Sequence, residues 1–522
     1  MCGIAAAINW TGAQGAVEAL TADLHHRGEI TDPIVSPDER HAFCTRRLPI
    51  TDADNGAQPK LSSDGRILVI LNGEIYNYRL LRHELQNLGV KFDTDCDTEV
   101  LANALGVWGA NAVYRLEGMY AFVALDLKNH VFLAARDPFG VKPLYVLQGH
   151  AGYLFCSEIR PLLNAHPVRN VMFVPPGHVL TADRLVDFTS RPIDQSGAGH
   201  HAHDPQALDR LMRQAIARRL PEGLPTAVMF SGGIDGTLVV HYARQSRPDL
   251  PAYFIGDPTG PDHAYALEYT QLTQLTQLDL RRAPLELDQN GSLDQIDELV
   301  GVCETFEPAT IRAGICTLQL SRRMRRDGLR VALCGEGADE LFAGYDFLEA
   351  AYAQSASTGA LVRDQTLGLM HSTILQRLDR CGMRFGVELR EPFLDQDVVD
   401  YALGLPSRDL VRITTKGAVG KSALRDLYDL APDQLPASIR DRRKSPMNEG
   451  AGFNRDGQGA GPWRDLAEAH LTDKAFADGR RRFAAYDPTT KEELLYLERL
   501  SLNMDISRVP HLASRPFILM PR

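Results

Sequence analysis

The 522-residue chain is too long for one hydrophobic core, so two or three domains are expected. With 44% hydrophobic and 24% charged residues it has the balance of a soluble globular protein. A net charge of -11 argues against broad binding to nucleic acid or to a membrane surface, while leaving room for a local basic pocket for a nucleotide.

No apolar run reaches the ~18 residues that a spanning helix requires, and MCGIAAAINW lacks the positive start of a signal peptide. The eight cysteines are scattered with no CxxC pair. They read as reduced, mostly buried thiols of a cytoplasmic protein, with Cys2 the exception.

Residues 1 to about 190 carry short β-like runs (IAAAI, RILVIL, AFVAL, VFLAA, YLFCS) separated by turn residues, the pattern of an antiparallel β-rich domain. A polar stretch, SRPIDQSGAGHHAHDP, follows and reads as a linker, placed at 191–204. Its histidines, His200, His201 and His203, have no Cys or carboxylate spaced to complete a metal site. Beyond it the period changes. ALDRLMRQAIARRL is an amphipathic helix, TAVMF a strand, GTLVVHYARQ a helix, and AYFIG and LRVALCG further strands. Strands alternating with helices imply a parallel α/β sheet over 205–522, with ligands beyond the carboxyl ends of the strands. The tail from about Arg363 reads as mostly helical.

Two clusters carry chemistry. Cys2 can be a nucleophile, and once Met1 is removed its own α-amino group, ordinarily near ~8, can be the base. Asn72 and Gly73 follow a β run and could aim two donors at one oxygen, as an oxyanion hole does; Asn-Gly is also an ordinary hairpin turn. Arg47, Glu74 and Asp97 supply one cation and two anions, a match for the ends of an amino acid, or simply solvated charges. In the second half, Ser231-Gly232-Gly233-Ile234-Asp235 lies between a strand and a helix, where glycines let a phosphate approach the backbone. Gly335-Glu336-Gly337-Ala338-Asp339-Glu340 follows the third strand and offers carboxylates suited to Mg²⁺, or an acidic surface turn.

Together the motifs MCGI, HRG, RRLPITD, NGEIYNY, DTEV, LEGMYAF, ARDPFGVKPLY and FCSEI resemble the class II glutamine amidotransferases. SGGID resembles the pyrophosphate loop of enzymes that split ATP to AMP. RRKSPMNEGAG and DPTTKEELLY, with the two-domain order, resemble the asparagine synthetases. The resemblance implies an N-terminal αββα Ntn-hydrolase sandwich over 1–190, joined to a C-terminal α/β ATP-pyrophosphatase domain with a helical tail. It implies Cys2 as nucleophile, Asn72 and Gly73 as oxyanion hole, and Arg47, Glu74 and Asp97 as glutamine ligands. It further implies Ser231, Gly232, Gly233 and Asp235 at the pyrophosphate, and Asp235 with Asp339 at Mg²⁺. Glu336 would serve the ammonia step, and Lys421 and Arg312 would steady the adenylate and phosphates. The expected substrates are ATP, glutamine and aspartate, with no nucleic-acid or membrane partner and a homodimer left open.

The sequence also departs from the family pattern. HRGEI stands for HRGPD, and SGGIDGT for a loop with a serine at Gly236, for which Thr237 could partly substitute. Ala309 and Gly314 each lose a hydroxyl near the expected acceptor, and FAGY stands for FGGY. These changes keep open a same-scaffold enzyme acting on another carboxylic acid, or a catalytically impaired regulator. A β-lactam-synthetase-like cyclase would not need Cys2, and a sugar or phosphoribosyl amidotransferase would lack SGGID.

Overall fold

The computed structural model describes residues 2–150, 152–166, 169–189, 199–256, 261–272, 280–283, 293–415, 417–451, 453 and 461–513. Met1 and linker residues 191–198 lie outside the described residues, as does Gly452 of the RRKSPMNEGAG motif.

The N-terminal half is two antiparallel sheets packed face to face. One has seven strands, with Cys2–Ile8 between Tyr153–Cys156 and His41–Arg47. The other has six, with Ile67–Ile75 and Gly118–Asp126 at its centre. Strand alternation explains the layering. Cys2, Ile4, Ala6 and Ile8 point between the sheets, against Ile70, Val123 and Phe155. Ala5 and Ala7 point the other way, into the cluster that holds Val17 and Leu20 of the helix Ala13–Ala22. On the second sheet Val69, Leu71 and Ile75 meet Leu81, Leu85, Val100 and Leu101 of the helices Tyr78–Asn87 and Asp97–Trp108. The result is the αββα sandwich.

The C-terminal half is built on a five-stranded parallel sheet in the order Leu280–Ala283, Ala252–Ile255, Thr226–Met229, Val331–Leu333, Glu388–Arg390. Three of these strands are the apolar runs expected from the sequence. The edge strand Glu388–Arg390 falls within the tail read as mostly helical. Its charged residues are buried because Arg390 Nε donates to Glu388 at 2.6 Å and its guanidinium faces Tyr76 of the first half. The tail also carries a hairpin, Arg412–Thr414 with Gly417–Val419.

One buried cluster runs through both halves, from Tyr145 and Leu162 to Leu375 and Leu378, so the two are packed on each other. The described linker histidines lie on the helix Gln396–Leu403: His201 and His203 contact Tyr401 through its carbonyl and hydroxyl oxygens. Among the described residues no helix is long and apolar enough to cross a membrane.

Candidate active sites

The first site forms where strand Cys2–Ile8 begins. Cys2 is buried, and its N–H donates to Asn72 Oδ1 at 3.0 Å. That bond fixes the orientation of the Asn72 amide and leaves its Nδ2 buried and without a partner among the described residues, a donor beside the Cys2 thiol. Gly73 has φ +138°, and a Cβ there would lie 2.0 Å from the Met119 carbonyl oxygen, so only glycine lets the strand pass. Burial pushes the Cys2 thiol up to about 11, so it is protonated at neutral pH and needs a base to become a nucleophile.

Arg47 pairs with Cys2 across the sheet and is held by Asp32, both of whose oxygens lie 3.2 Å from its Nε. Glu74 accepts from Thr51 at 2.7 Å, and Asp97 accepts from the Ile75 N–H at 3.0 Å at the start of its helix. Burial first, then the charges of Asp97 and Glu388, raise Glu74 to about 8; burial raises Asp97 to about 6. The nearest paired cation, Arg390, is 3.7 Å from Glu74. Two buried carboxylates with so little compensation could accept an ammonium group.

The second site forms at the carboxyl ends of the central parallel strands. Gly232 has φ +68°, where a Cβ would meet Ala266 N at 2.8 Å. Gly233 caps the 13-residue helix Ile234–Ser246 without a side-chain bond. The first helical N–H groups behind Ser231 are therefore open to an anion. Asp235, on that helix, accepts from Lys421 Nζ at 2.6 Å, and the same Nζ is 2.6 Å from Asp339 Oδ1. Lys444 Nζ lies 2.6 Å from the other Asp339 oxygen. Despite burial, the two ammonium groups hold Asp339 at about 2, while burial and the Asp339 charge push Glu340 up to about 7.

Lys421 takes φ +58°, a conformation costly for a non-glycine residue, at the start of the helix Ser422–Tyr428. Gly344 leaves the room it needs: a Cβ there would sit 2.1 Å from both Lys421 Cε and Asp339 Oδ1. Ala343, the alanine of FAGY, bears φ +56°.

Glu336 is paired with Arg377 at 2.9 Å. Arg312 donates from Nε to Glu492 at 2.8 Å, so its fork is already engaged by a carboxylate. At Gly314 a Cβ would meet Leu299 at 3.1 Å, then the Cys303 and Cys381 sulfurs. Ala309 is exposed in the first turn of its helix. At Gly236 a Cβ would meet only ordinary contacts, the nearest at 3.5 Å, and Thr237 is fully buried beside Tyr428.

Residues 1–180 match the glutamine amidotransferase domain family, and residues 207–366 and 354–505 match the asparagine synthase family. A glutamine-hydrolyzing asparagine synthetase 2 of Lotus japonicus is 30% identical over 516 residues, covering 95% of this chain and 85% of that one. One of Arabidopsis thaliana is 29% identical over 519 residues, covering 95% and 86%. The chain belongs to the asparagine synthetase family.

Within this asparagine synthetase scaffold, four residues at the sites had no role in the sequence reading. Asp32 holds Arg47. Gln58 has its Nε2 4.0 Å from the Cys2 sulfur, accepts from Leu71 N–H and donates to Leu71 O. Arg442 donates to the Gly232 carbonyl at 3.1 Å, pairs with Asp262 and lies over Tyr265. Lys444 pairs with Asp339. The last two belong to RRKSPMNEGAG, a segment marked by its resemblance to the asparagine synthetases, which did not say which cation reaches the loop.

Proposed function

We propose that the chain is a glutamine-dependent asparagine synthetase, with glutamine cleaved at Cys2 and aspartate activated by ATP beside the SGGID loop. The observation that carries the reading is Lys421, which lies 2.6 Å from carboxylates of both the loop helix and the GEGADE segment, with Lys444 behind them. Two cations converging behind a phosphate-binding helix start suit the charge that builds on departing pyrophosphate.

In this reading Met1 is removed, and the Cys2 thiol gives its proton to the α-amino group so freed and attacks the glutamine amide carbon. Asn72 Nδ2 and the Gly73 backbone stabilise the oxyanion, ammonia leaves, and water releases glutamate. At the other site the aspartate side-chain carboxylate attacks the α-phosphorus of ATP and pyrophosphate departs. Ammonia, passing inside the protein, displaces AMP from the adenylate to give asparagine. Glu336 orders the ammonia, or takes the proton from the cationic nitrogen that forms as ammonia attacks the adenylate. Arg312 acts only through its Glu492 pair, as a brace. Asp235 and Asp339 would hold Mg²⁺: the Asp235 Oδ1 is buried without a partner among the described residues, and two carboxylates leave the rest of the ion's shell to water and phosphate. Bound there, the ion would offset phosphate charge.

The packing at Gly314 supports aspartate, because a side chain there would meet Leu299 and two cysteine sulfurs, which accounts for the missing hydroxyl without a change of acceptor. The test is pyrophosphate release with aspartate set against bulkier acids, for wild type and Ala309→Thr. Aspartate-dependent release is expected, with a KM that Ala309→Thr leaves nearly unchanged. Turnover of another acid without aspartate turnover would overturn the acceptor assignment.

The glutamine site should titrate. Its carboxylates must be ionised to bind an ammonium group, and both are raised. The kcat/KM for glutamine should therefore rise by up to about tenfold per unit as pH passes from about 6 to about 8, then level off. Initial rates across that range check it. Asp97→Asn should move the upper inflection down, since it removes the neighbouring charge. A flat profile would contradict that role for the two carboxylates.

A further inference from the structure

The helix Ile374–Met383 lies between the two sites, and every residue from Leu375 to Met383 is buried. At about 100° per residue, Asp379 sits about 200° round from Arg377, on the opposite side. Arg377 reaches Glu336 of the ATP site at 2.9 Å. Asp379 takes the Arg27 guanidinium in a two-pronged pair, Nη1 at 2.8 Å and Nη2 at 3.0 Å. Arg27 is fully buried, and its Nε donates to the Cys2 carbonyl oxygen at 3.2 Å.

We propose that Asp379, a residue of the ATP-binding half, is a positioning residue for Cys2, acting through Arg27, and that this helix ties the nucleophile to Glu336. The inference rests on the functional reading above. A guanidinium is planar, so a carboxylate gripping both terminal nitrogens sets the direction of Nε as well. The carbonyl that Nε holds is one bond from the Cys2 Cα. Turning it would turn the thiol and strain the N–H bond to Asn72.

Little else can hold Arg27. Glu158 accepts from Nη1 at 3.0 Å, but it also serves Arg380 at 3.0 Å and His26 at 2.9 Å. The stem is confined as well, since a Cβ on Gly3 would lie 3.2 Å from its Cβ and Cδ. Arg380, next on the helix, pairs with Glu304 at 2.7 Å. Glu304 in turn accepts from the Ile159 and Arg160 N–H groups, so the same helix braces the backbone beside Glu158.

The experiment uses full-length Asp379→Asn, which keeps the shape and removes the charge, together with Arg27→Lys and the double variant. Glutamine hydrolysis by Asp379→Asn should lose at least about tenfold in kcat, with the glutamine KM within about threefold and ammonia-dependent synthesis near wild type. The double variant should be no slower than the slower single one, because both changes break one path. Wild-type hydrolysis by Asp379→Asn, multiplied losses in the double variant, or equal losses in both activities with a lowered melting temperature would each overturn the proposal. Failure of wild type to release pyrophosphate with aspartate would instead overturn the functional reading, with the hydrolysis data still deciding the role of Asp379.

Discussion

Replacing Cys2 with alanine is expected to lower glutamine-dependent asparagine formation by about 10⁴-fold or more, as loss of a nucleophile does, while synthesis from added ammonia persists. The thiol is buried at the start of its strand, and its N–H is already committed to Asn72. The cysteines on the two neighbouring strands lie opposite Ala5 rather than Cys2: Cys44 is fully buried, donating to the Asp32 carbonyl, and Cys156 is fully buried and pushed up to about 12. Product measured with glutamine and with ammonium, on enzyme whose melting temperature matches wild type, checks the division. Loss of both activities in a folded variant would contradict it.

The second large effect belongs to Asp339. Changing it to asparagine should reduce ATP–pyrophosphate exchange by about 10³-fold and leave glutamine hydrolysis measurable. Asp339 is the shared partner of Lys421 and Lys444, and its negative charge raises Lys444 against the opposing effect of burial. Without that charge the buried Lys421 ammonium keeps only Asp235, Lys444 loses its paired carboxylate, and the pair of carboxylates proposed for Mg²⁺ is broken. Exchange of labelled pyrophosphate reports the adenylation step without the other site. Exchange at the wild-type rate would remove Asp339 from the site.

Much of this architecture could be read from residues alone, for reasons that are local. The short continuous apolar runs IAAAI and RILVIL, bounded by turn residues, mark strands buried on both faces. A strand, two glycines and a helix in succession resemble a phosphate loop on local residues alone, and motif order carried the family. What stayed hidden depends on pairing across the chain. The edge strand Glu388–Arg390 reads as polar, and it is buried because its own charges cancel against each other and against the first half. Arg312 reads as a free cation for phosphate, yet Glu492, 180 residues on, takes its fork. Gly314 reads as a missing hydroxyl at the acceptor, and a side chain there would pack against Leu299. Lys421 reaches Asp235 from 186 residues away, and Asp379 reaches Arg27 across 352. Propensity and spacing determine which elements form, because those forces act within a few residues. Which charge meets which is decided only when the sheets and helices dock, because burial makes an unpaired charge so costly that each must find whatever partner the packing brings beside it.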